Sequence, residues 1–235
     1  MHFNPSQRFV CQLIGLSIAI FGVMPGYAQT GDLACGSLAN GYGPYDYRTD
    51  KSKLGIVERY HFTPAVETLI RGSTNVLPGP DLDYTLRAFP NHHRALMSMM
   101  RYGEKMKSPQ PRGTGYSVTC YFERAVRFRP DDTIARMLYA TFLSKNSRTP
   151  EAIRQLELAT VEAADNGFSH YNIGLIYFDL KKYDKALIQA HKAIALGFLQ
   201  SALRDELKSV GQWREPADLP RPPAATASAP VTLKK

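Results

Sequence analysis

The chemistry open to this 235-residue chain rests on six histidines, three cysteines and an excess of basic over acidic residues, 29 against 21. His92 and His93 are adjacent, with His61 and His170 elsewhere. A zinc site needs three or four converging ligands. Neighbouring residues on a helix project in different directions, so one metal does not take both histidines of the pair. No Cys/His spacing of the zinc type occurs, and the histidines read as surface or capping groups with no metal and no cofactor. Gly-x-Ser-x-Gly, His-Glu-x-x-His and a phosphate-cradling glycine loop are all missing from the sequence. Gly36, Gly41 and Gly43 lie among Tyr42, Tyr45 and Tyr47 without a following apolar helix, which suits a packed irregular segment. A non-catalytic protein is expected.

The cysteines point to an address. Arg8 precedes an apolar run from Phe9 to Met24, and Gly26-Tyr27-Ala28 places small residues where a signal peptidase reads. The run is short for a membrane span, so residues 1–28 are expected to be a cleaved secretory signal. An uncleaved anchor is the alternative. Leu33-Ala34-Cys35-Gly36 faintly resembles a lipoprotein box, but Asp32 occupies its apolar slot. The expected location is periplasmic or secreted, with no stable membrane insertion after cleavage. Cleavage leaves Cys35 and Cys120, and an even pair in an oxidising compartment is read first as a disulfide. They do not form a CxxC redox motif.

The formal charge of +8 is concentrated in places. Arg101, Lys105, Lys107 and Arg112 surround a linker at 107–115, relieved only by Glu104, and Arg124, Arg127 and Arg129 follow. A solvated charged face is one reading. A patch for an anionic envelope polymer, lipid head groups or an acidic protein is the other. Secretion and the lack of a reading motif argue against nucleic acid.

Positioning falls to a repeat. Ala125, Ala159 and Ala193 are 34 residues apart, as are Ala152 and Ala186, Ala140 and Gly174, and Leu143 and Tyr177. A fixed period of this length belongs to stacked helical hairpins, none of which can bury its apolar face alone. The better copy reads His170-x-x-Ile173-Gly174-x-x-Tyr177, then Ala186-x-x-x-Ala190-x-x-Ala193. The copy before it reads Arg136-x-x-Tyr139-Ala140-x-x-Leu143, then Ala152-x-x-x-Leu156-x-x-Ala159, and Phe122, Ala125 and Pro130 belong to an earlier second helix. Over about residues 116 to 196 the chain resembles the tetratricopeptide repeat, with Trp-x-x-Leu-Gly-x-x-Tyr followed by Ala-x-x-x-Phe and a late Pro. His170 stands where the family has Trp, Ala190 where it has Phe and Phe198 where it has Pro.

Pro130-Asp131-Asp132 closes one helix and offers a capping carboxylate to the next. Thr149-Pro150-Glu151 supplies a cap and a first-turn proline. Pro90 and Pro130 are 40 apart, as though six residues were inserted into one repeat. His92 to Tyr102 reads as a helix, and Asp81 to Phe89 as a helix or a strand. The expected fold is all-α: a short helical-hairpin solenoid over 81–210, an irregular segment over 29–80, a capping helix near Ser201–Leu207 and a Pro/Ala-rich disordered tail over 211–235.

The resemblance implies a groove lined by the first helix of each hairpin that takes an extended peptide or protein segment. Met137, Thr141, Phe168, Tyr171, Asn172, Leu175 and Phe178 are the candidates for its lining, and some of them must pack between repeats instead. Their apolar character favours a hydrophobic partner over an acidic tail. Family and address together suggest a role in envelope assembly or secretion.

Overall fold

The computed structural model describes residues 35–73 and 76–216. The expected signal peptide and the tail beyond 216 lie outside them. The described chain is all-α: ten helices and no strand. We label them α1 (Lys51–His61), α2 (Pro64–Glu67), α3 (Gly79–Ala88), α4 (His93–Met106), α5 (Val118–Phe128), α6 (Thr133–Lys145), α7 (Thr149–Ala163), α8 (Gly167–Asp179), α9 (Tyr183–Ala195) and α10 (Ala202–Ser209).

The repeat is visible in the turns as well as in the core. Helices α4, α6 and α8 begin at His92, Asp132 and Asn166, each of which accepts a hydrogen bond in its side chain from the amide three residues on. Such a cap satisfies a helix-end donor that the helix itself leaves unpaired. The same three helices are followed by left-handed residues, Lys107, Ser147 and Lys181. The next amides, of Ser108, Arg148 and Lys182, reach back to the carbonyls of Gly103, Leu143 and Tyr177. Reversal by this bond turns the chain sharply without leaving carbonyls unpaired. Caps and reversals alike are spaced first 40 and then 34 residues apart, so the six-residue insertion lies between Lys107 and Asp132.

Packing follows the same order. Helix α4 packs on α5, α6 on α7 and α8 on α9; α4 also meets α6, α6 meets α8, and α10 packs on both α8 and α9. The alanines that recur every 34 residues are buried at these crossings, with Leu143, Leu156, Ile173 and Tyr177 between them. Gly174 shows why the position must stay small: an added methyl would run into Leu203 of α10 and stand 3.2 Å from the Cβ of Gln189. His170, in place of the consensus Trp, is buried and bridges Gln189 at 2.7 Å and the Ala164 carbonyl at 2.8 Å.

Three expectations need adjusting. Asp81–Phe89 is helical in α3, because Leu82 and Leu86, four apart, both enter the core. The stretch read as irregular over 29–80 holds α1, which buries Leu54 and Val57 one turn apart. Thr149 is the first residue of α7 and makes no capping bond, while Pro150 sits in the first turn as expected.

Candidate functional site

Cys35 and Cys120 are joined in a disulfide with their α-carbons 5.1 Å apart. It fixes the start of the described chain to α5, and two arginines reinforce the attachment. Arg124 is buried and donates to the carbonyls of Cys35 (3.1 Å) and Ser37 (2.6 Å), with its guanidinium 4.4 Å from the Tyr116 ring. Burial pushes its pKa below the usual arginine value. Arg127 donates to the Gly36 carbonyl. Arg124 and Arg127 were expected in a surface patch, and here the structure corrects the sequence. They serve as internal clamps because the N-terminal segment lies over them.

The segment then crosses the two turns ahead of α4 and α6. Asn91, fully buried, accepts from the Tyr47 amide and donates to Asp46 (2.7 Å) and Asp132 (2.8 Å). Asp132 also receives His93 Nε2 at 2.9 Å while capping α6. Arg48 ties Asp46 to Asp131, and Arg129 Nε lies 2.9 Å from Asp46. Burial would raise the Asp46 carboxyl, but the bonds from Arg48 and Asn91 outweigh it and hold the acid far below its usual range.

The histidines are distributed rather than convergent. His92 caps α4 through Nδ1 and faces Glu58 through Nε2 at 3.2 Å. Burial lowers its pKa from 6.5 to about 3, with the charge of Arg94 acting in the same direction. His61 pairs with Asp81 at 3.0 Å. Among the described residues, Cys35, Cys120 and Glu123 are grouped at metal-ligand spacing, and the disulfide occupies both sulfurs.

The expected groove residues lie on the first helices α6 and α8, and they are not alike. Met137 is buried, a departure from the expectation that it lines an open groove; the packing between α4, α6 and α8 takes it into the core. Thr141 is half-buried and returns its hydroxyl to the Met137 carbonyl. Asn172 likewise spends its amide on the Phe168 carbonyl. Phe168 is 51% exposed. Tyr171, Leu175 and Phe178 are half-buried at the edge of the core, Tyr171 against Phe198 at 5.0 Å and Phe178 against Tyr183 at 5.4 Å. Repeat spacing puts Tyr171 in register with Met137 and Met97, and Leu175 with Thr141 and Arg101. The bridge from Lys145 on α6 to Glu104 on α4, 2.9 Å, shows these rows lying side by side.

Of the basic group, Arg101, Lys105, Lys107 and Arg112 stay exposed. Lys105 donates to the Leu69 carbonyl, and the Arg112 carbonyl accepts from Tyr102. The linker carrying Lys107 and Arg112 is anchored by Asp83, which accepts from the Gly115 amide at 3.0 Å and from the Tyr121 hydroxyl. Sequence reasoning missed Asp46, Asp83 and Asn91 as organising residues. The Asp46–Asn91, Asn91–Asp132, Asp83–Gly115 and Asp83–Tyr121 bonds span 32 to 45 positions, and nothing local signals those pairings.

Comparison of the chain with family models, curated proteins and solved structures returns no match.

Proposed function

We propose that this protein is a non-catalytic, tetratricopeptide-like scaffold of an oxidising, extracytoplasmic compartment that holds a protein or peptide on its first-helix face. One observation carries the reading. Three hairpins with the same caps and reversals present α4, α6 and α8 side by side, and the last presents an apolar edge of Phe168, Tyr171, Leu175 and Phe178. Half-buried aromatic side chains beside a rigid core are the type of group that anchors a partner at small conformational cost. A disulfide between segments 85 residues apart supports the compartment, since such bonds persist where thiols are not kept reduced.

The test is affinity capture from the native cells with the protein carrying Tyr171→Ala and Phe178→Ala together. Loss of the partners retained by wild type, with the helical signal and cooperative melting preserved, is the expected result. Retention of the same partners by the double variant contradicts the assignment. Truncating an aromatic hot spot of a binding face costs about 2 kcal/mol or more, roughly thirtyfold or greater in affinity.

A further inference from the structure

A cavity of about 760 Å³ opens beside the end of α1, bordered by Arg59, Tyr60, His61, Pro64, Arg71 and Ser73. It shares Tyr60 and His61 with a smaller hollow of about 200 Å³ reached by Ile56 and Tyr84. Arg59 and Arg71 are exposed, and neither guanidinium has a carboxylate partner among the described residues. The nearby acid is already committed: buried Asp81 takes His61 Nδ1 on one oxygen and the Ser73 amide on the other, 3.0 and 2.8 Å away. The cavity thus holds cationic donors with no anion to meet them.

Two further polar residues border the cavity. The Ser73 hydroxyl is buried and has no hydrogen-bond partner among the described residues. An unmade bond of that sort is costly, and each case calls for an explanation. His61 has its Nδ1 on the Asp81 carboxylate, so Nε2 is the ring nitrogen left for a ligand. Its ring is held by stacking on Tyr84 at 3.9 Å. On the other side, Tyr60 and Ile56 are 57% and 56% exposed, an apolar wall next to the charged one.

We propose that this cavity binds a small phosphorylated ring compound. The phosphate meets Arg59 and Arg71, a ligand hydroxyl meets His61 Nε2, and the ring lies on Tyr60, which the cavity shares with the smaller hollow lined by Ile56. Arginine forks suit phosphate geometry, and an apolar wall with few convergent polar groups is the usual build of a small-molecule site. The assignment goes beyond the scaffold reading and does not depend on it.

Calorimetry on the purified protein, with glucose 1-phosphate, inorganic phosphate and glucose as probes, decides it. Glucose 1-phosphate is expected to bind more tightly than phosphate, and glucose not to bind. Arg59→Ala with Arg71→Ala is expected to weaken the sugar phosphate by on the order of a hundredfold, about tenfold per charged hydrogen-bonding arm. Both arginines are exposed, so the melting temperature of that variant should match wild type. Silence with both phosphate probes, or binding that survives the double substitution, overturns the proposal. Pelleting with phosphatidylglycerol vesicles while the soluble probes stay silent also overturns it, in favour of a lipid surface.

Discussion

His92 shows how much one side chain can carry. Its Nδ1 is spent on the Ala95 amide at 3.1 Å and its ring is fully buried, so the fold admits it only uncharged. Between its usual pKa of 6.5 and the folded value of about 3, the unfolded chain binds a proton that the native chain refuses. Stability from this group is therefore complete above pH 6.5 and is lost as pH falls toward 3, by up to about 1.4 kcal/mol per pH unit. Asp46 and Asp132, both held below the usual carboxylate value of 3.8, add to the loss only at lower pH. Urea unfolding between pH 6.5 and 5.5 reads the histidine ahead of Glu67 and Glu151, whose carboxyls the bonds from Arg94 and Arg148 hold below 4.5. His92→Asn, which keeps a good capping side chain, should flatten the slope in that window. An unchanged slope would place the acid sensitivity elsewhere.

At the scale of the element, the turns and the crossings set stability in opposite senses. Lys181 is exposed and left-handed after α8, a conformation that costs a side-chain-bearing residue about 1–2 kcal/mol. Lys181→Gly should raise stability by about 0.5–1 kcal/mol after the extra freedom of glycine in the unfolded chain is subtracted. Gly174→Ala should lower it by about 1–3 kcal/mol, because the new methyl meets Leu203 and pushes α10 off its seat. Chemical denaturation of the two variants checks both signs. The sequence makes these elements legible wherever small residues recur at 34, since only close helix crossings need them. It also reveals the cap at Asp132, while the cap at Asn166 emerges only in the structure. It leaves α1 hidden, because α1 buries only two apolar residues, whereas the reading of the histidines as surface or capping groups holds at His92. The basic cluster misleads for a related reason: a pattern of charges along α5 does not say that a segment nearly 90 residues earlier in the chain covers Arg124. The apolar edge of α8 was legible as a face, while the burial of Met137 depended on neighbours that no single helix encodes.

Across the whole molecule, the hairpins and the N-terminal segment form one unit held by a covalent tie and a polar one. The disulfide closes a loop of 85 residues, which in the chain-entropy model contributes roughly 4–5 kcal/mol. Replacing both Cys35 and Cys120 by serine should lower the unfolding free energy by that order, with the denaturation slope unchanged if the unfolded state stays equally open. The tie and the Asp46–Asn91–Asp132 cluster bind the segment to the turns ahead of α4 and α6, and among the described residues they leave the edge of α8 uncovered. That edge is where the account places the partner. The most direct measurement is site-specific photo-crosslinking in the native cells, with the reactive side chain at position 175 and a control at exposed position 161 on α7. A discrete protein adduct is expected from 175 that is missing from 161 and disappears when Tyr171→Ala and Phe178→Ala are added. The same adducts from both positions, or none from 175, would contradict it.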